Sequence, residues 1–249
     1  MLRTANPALN NATFKGLPCS ADKSNAMTIQ GTVNKTAALL LVLLITATWT
    51  WDKFFETGNP ASVGTWIMVG AFGGFIVAMV TVVKKTWSPI TAPVYAALEG
   101  LFLGGISSVF EARFPGIVIQ AVGLTFGTLF ALLFAYKSGL IKATENFKLG
   151  VVAATGGIAL VYFVTIILGF FGVQIPMIHG SGIIGIGFSL FVVVIAALNL
   201  VLDFDFIENG AEAGAPKYME WYGAFGLLVT LVWLYIEILR LLSKLRGRD

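Results

Sequence analysis

The chain has 249 residues, of which 57% are hydrophobic and only 12% charged, with a mean hydropathy of +0.86 and a formal net charge of +3. Soluble domains carry roughly a quarter charged residues, so a water-soluble globular protein is excluded. The positive charge is too small and too dispersed to make a footprint for nucleic acid.

Residues 1–33 are rich in Asn, Ala, Thr and Ser, with scattered lysines and no apolar run. They match neither a signal peptide nor an ordinary transit helix and read as a polar, mobile tail. The single cysteine, Cys19, lies in this tail, which excludes an intramolecular disulfide.

From residue 34 to 243 the chain reads as an all-α transmembrane domain, closed by a basic tail at 244–249. Seven uncharged stretches are expected as spans near 36–51, 61–83, 88–110, 115–136, 149–173, 182–207 and 219–240. Each run is continuously apolar, without the alternating register of barrel strands, so helices are expected. The first is the shortest. Between Lys35 and Asp52 lie 16 uncharged residues, roughly 24 Å of helix, so Lys35 would have to snorkel to complete the crossing.

Glycines recur at four-residue spacing at Gly70 and Gly74, Gly100 and Gly104, and Gly123 and Gly127. Because lipid supplies no hydrophobic drive, close backbone approach at such pairs is the expected packing device. No internal repeat of the inverted-transporter kind is evident.

Lys and Arg set the orientation. With strict alternation, the N-terminal side carries Arg3, Lys15, Lys23, Lys35, Lys84, Lys85, Lys137, Lys142, Lys148 and Lys217, and the loops opposite carry only Lys53 and Arg113. That bias predicts a cytoplasmic N-terminus. The C-terminal cluster of Arg240, Lys244, Arg246 and Arg248 disagrees, since seven spans put it outside. It is read as a snorkelling end cap.

Intramembrane acids are functional candidates by default, because a charge there costs ~2.5–3.5 kcal/mol on insertion scales. Glu99, the Asp203 and Asp205 pair, and Glu237 qualify. Asp203 and Asp205 point roughly 200° apart on a helix, so only one can face the protein interior. Asp203 shares a face with Asn199, Ala196 and Ser189, which are small or polar, whereas Asp205 stands over Val201, Leu198 and Val194. Asp203 is therefore the inward acid, and Asp205 and Glu208 mark the interface where the sixth helix ends. Glu237 lies three residues before Arg240, an ordinary helix-end ion pair. Glu99, about 17 Å deep in the third span, is expected either protonated and hydrogen-bonded within the bundle or lining a wet path.

The segments VLDFDFI (201–207), LVTLVWLYIEILRLL (228–242) and EGLFLGG following ITAP are similar to motifs of the transmembrane Bax inhibitor family, the Bax inhibitor-1/YccA-like proteins, in their bacterial branch. The resemblance implies a seven-helix bundle in which carboxylates of the last two long helices, with a basic residue ending the second helix, gate a pH-dependent calcium leak. Asp203 matches the first aspartate of that pattern, and Lys84 or Lys85 is the counterpart of the basic residue. Thr230 stands at the second aspartate's position, with Glu237 two turns later on the same face. A shared-proton dyad is therefore not carried over intact, and a sensor here would join Asp203 to a lysine, Asp205 or Glu99.

The expected activity is a pH-responsive cation pathway for calcium, with Asp203 as a transient calcium ligand, in the cytoplasmic membrane of a bacterial cell. The alternative is a regulatory membrane protein that transports nothing and binds a membrane-anchored AAA protease, with the polar tail as docking handle. No enzyme is expected. His179 and Ser181 in HGSG are too close in sequence to imply a converged dyad. One histidine and one tail cysteine make no soft-ligand cluster, and no phosphate loop or cofactor site is present.

Overall fold

A computed structural model describes residues 25–171 and 180–247. Cys19, His179, Arg3, Lys15, Lys23 and Arg248 lie outside the described residues. Among the described residues, seven helices are long and apolar enough to cross a membrane. They are α1 (Ile29–Thr57), α2 (Ala61–Val83), α3 (Ser88–Arg113), α4 (Ile117–Lys137), α5 (Glu145–Phe170), α6 (Ile183–Glu212) and α7 (Met219–Arg246), with a short 3-10 turn at Lys85–Trp87. The chain is an all-α, integral membrane protein.

Several boundaries differ from the charge-based expectation, most of all in α1. Helix α1 has 29 residues rather than 16, because Thr28 caps it by accepting a hydrogen bond from Gly31 N and the helix then runs straight through Lys35 and Asp52. It stops only at Gly58, whose left-handed backbone (φ 62) returns its N–H to Phe54 O. The first span therefore needs no snorkelling to reach its length, and residues 29–33, expected in the tail, are its first turns. Helix α6 likewise continues past Glu208 to Glu212. Charges bracket an apolar core, but a helix ends where its backbone is capped, and the two need not coincide.

The described residues divide into two compact units, 25–115 with Asp205–Val229, and Gly116–Phe204 with Thr230 onward. In the first, glycines bring helices to backbone contact. A Cβ at Gly70 would lie 2.6 Å from Leu98 O, one at Gly104 would lie 2.7 Å from Ala47 Cα, and Gly100 abuts Leu43 and Thr46. These four-residue pairs pack α3 against α1 and α2 as membrane helices require. Gly123 and Gly127 do not follow suit, since both open onto empty space. Spacing alone could not say which small-residue faces meet a partner.

In the second unit Ile158 of α5 and Val192 and Ile195 of α6 form a buried cluster, joined by Ala154, Tyr162, Phe188, Leu198 and Trp233. Helix α7 is the most enclosed of the seven, with 67% of its apolar stretch buried, and α5 the least, at 11%. Polar side chains on α7 consequently have protein for surroundings and need internal partners.

Candidate functional site

The second unit carries a file of polar groups along facing sides of α6 and α7. Lys244, 6% exposed, donates to Ser189 Oγ at 2.8 Å and to Gly185 O at 3.1 Å. This sets the register of two consecutive helices joined by a short connection, which run antiparallel. Fourteen residues along α6 from Ser189 is Asp203, and fourteen back along α7 from Lys244 is Thr230. Each step is about 21 Å and nearly four whole turns, so Asp203 and Thr230 lie at one level on the same facing sides. Asp203 is fully buried and Thr230 is 3% exposed. Asp203 is thus the inward acid of its pair, while Asp205 is only partly buried.

Between these ends lie further polar groups. Asn199, one turn from Asp203, donates to Thr155 Oγ1 on α5 at 2.9 Å and to Ile195 O at 2.8 Å. Glu237 is 2% exposed. Its Oε1 accepts from Arg240 Nη1 at 2.9 Å and from the Tyr162 hydroxyl at 3.0 Å, and Arg240 also donates to that hydroxyl at 2.9 Å. Glu237 Oε2 is buried and accepts no hydrogen bond from the described residues. The ion pair expected between Glu237 and Arg240 is present, but it is enclosed on the carboxylate side and bound to α5 through Tyr162, not exposed at a helix end.

The other candidates belong to the first unit. Lys84 is exposed and lies over the Trp87 ring at 4.4 Å, and Lys85 is partly buried, 6.0 Å from the centre of the Tyr222 ring. Glu99 receives a side-chain hydrogen bond from Tyr95, one turn earlier, and packs against Gly74 of α2. Glu99 is partly buried, and its bond to Tyr95 lies within α3.

The same unit holds an ionic cluster that sequence reasoning passed over. The Glu220 carboxylate, fully buried, pairs with Lys35, and its Oε1 accepts from Lys217 Nζ at 3.0 Å, Thr28 N at 3.0 Å and Thr28 Oγ1 at 2.8 Å. Gly31 makes the room, since any Cβ there would overlap the carboxylate. Adjacent backbone bonds, Met27 N to Ala215 O at 2.6 Å and Lys217 N to Asn25 O at 2.9 Å, dock the chain entering α1 on the loop before α7. The available signal was Gly31 and Lys35, one turn apart on one helical face, but nothing local pointed to Glu220.

Seven apolar helices, with buried carboxylates and a buried lysine held inside them, define a polytopic α-helical membrane protein with an internal polar file. Residues 6–247 match the family model described as Bax inhibitor 1 like. The chain belongs to the Bax inhibitor 1-like family. Among curated proteins and among solved structures, nothing matches it significantly.

Proposed function

We propose that the protein is a pH-responsive cation leak pathway for calcium, with Asp203 as its sensing group. The observation that carries the reading is the complete burial of Asp203 on the face of α6 that meets α7, level with Thr230. The balance between the charged and neutral forms of a carboxylate depends on burial and on the charges and hydrogen bonds around it. Proton uptake removes its attraction for a cation and shifts a closed-open balance. Calcium enters as cargo, met by the carboxylate and carbonyl oxygens that a hard divalent ion takes.

Lys84, Lys85, Asp205 and Glu99 are proposed as further pH-sensing groups, and Glu237 as a further station along the file. We place the protein in a cell membrane with its N-terminus cytoplasmic, on the charge bias of its loops. The test is calcium uptake into liposomes holding the full chain, followed between pH 6 and 8. The wild type should respond to pH and Asp203→Asn should respond little. An identical pH response in both would remove Asp203 from the sensing role. Flux from neither at any pH would favour the non-transporting regulator that engages a membrane-anchored protease.

A further inference from the structure

We infer that Lys244 is a tethered cation that closes the far end of the α6–α7 polar file. The inference rests on the cation-pathway reading above and adds a residue that sets how much passes. Lys244 was expected to snorkel outward as part of a basic tail, yet its side chain turns inward and is 6% exposed. Its ammonium lies 2.8 Å from Ser189 Oγ and 3.1 Å from Gly185 O. A hydroxyl and a backbone carbonyl are also the kind of oxygen ligands that take a hard metal cation. The ammonium therefore stands where a cation following the file would stand.

What lies inward of it fits that role. Glu237 and Arg240 follow on the same face of α7, and one Glu237 oxygen is already neutralised by Arg240 and Tyr162. The second, Oε2, is buried and accepts no hydrogen bond from the described residues, so it is a ready oxygen ligand one step beyond Lys244. Glu237 and Lys244 are seven residues apart, about 10 Å along the helix. At that separation and an effective dielectric of about 20, a fixed positive charge lowers the occupancy of an arriving monovalent cation roughly tenfold, and of a divalent one further. Ser189 continues to Asn199 and Asp203 on α6, so the file from Lys244 to Asp203 spans about 21 Å of the hydrocarbon core.

The test uses the full chain in liposomes, with calcium and then potassium as the ions measured, and compares wild type, Lys244→Met, Lys244→Arg and Ser189→Ala. Lys244→Met keeps the length of the side chain and removes the charge, and initial potassium flux should rise about tenfold and calcium flux by a larger factor. Lys244→Arg, which keeps the charge but changes its geometry, should raise flux less than Lys244→Met. Ser189→Ala, which keeps the charge and removes one ligand, should rise by a smaller factor and serves as the deciding variant if Lys244→Met does not fold. A merely structural lysine would give lower melting temperatures in these variants with unchanged flux, and that result overturns the inference while leaving the pathway intact. Conduction by the wild type with no gain in either Lys244→Met or Ser189→Ala has the same meaning. Absence of flux from all four proteins overturns the pathway reading itself.

Discussion

Ser189 of α6 and Lys244 of α7 are joined by a hydrogen bond of 2.8 Å, and this contact fixes which residues of the two helices stand opposite one another. Everything said of Asp203 and Thr230 follows from that register. The same bond accounts for a conflict in the distribution of basic residues. Lys244 and Arg240 are occupied in internal hydrogen bonds with Ser189, Gly185, Glu237 and Tyr162.

A cytoplasmic N-terminus is the expected orientation. Two of the four C-terminal cations serve internal contacts, so they weigh less as a flanking cluster against the ten Lys and Arg of the N-terminal side. With seven spans, a cysteine placed at Gly247 should react with an impermeant maleimide added outside intact cells, and a cysteine in the loop at Ala213 should not. Labelling of the second and protection of the first would reverse the topology.

The Glu220 cluster makes a stability prediction. Glu220→Ala leaves the Lys35 ammonium without its carboxylate. Removing one partner of a fully buried pair costs about 3–5 kcal/mol, but the Lys35 side chain is 21% exposed, so about 2–3 kcal/mol is expected. Gly31→Ala should act in the same direction. Alanine gains about 1 kcal/mol of helix propensity over glycine, but its Cβ overlaps Glu220 and displaces the carboxylate. Net loss of stability by thermal unfolding in detergent is the expected outcome, and a more stable Gly31→Ala protein would contradict the contact.

Truncation should test the docking of residues 25–28 on the loop before α7. Deleting residues 1–24 spares Asn25, Met27 and Thr28, whereas deleting 1–28 removes their bonds to Lys217, Ala215 and Glu220. Losing a helix cap alone costs about 1 kcal/mol. The longer deletion should melt several degrees below the shorter one. Equal melting temperatures would show that the docking contributes nothing.

The glycine pairs give opposite expectations at identical spacing. Gly104→Ala puts a methyl group against the Ala47 backbone, which cannot rotate away, and should cost about 1–3 kcal/mol as overpacking does. Gly127→Ala meets open space and should be neutral or slightly stabilising through helix propensity. Unfolding of the two variants side by side checks the difference, and equal losses would mean that α4 packs through Gly127 as well.

How much of this was legible before any coordinates depended on the range of the interaction. Hydropathy and the periodicity of the α-helix are local, and they alone determined seven spans, the all-α class and the inward turn of Asp203, since Asn199, Ala196 and Ser189 already marked its face. Helix termini were less legible, because capping by Thr28 and Gly58 overrides the charges that bracket an apolar stretch. Pairings between distant segments were not legible at all. Glu220 with Lys35 and Thr28, Tyr162 with Glu237, and Lys244 with Ser189 each join residues tens to nearly two hundred positions apart. Burial obliges a polar group to find a partner without naming it. Only the packing of helices side by side decides which partner lies within reach.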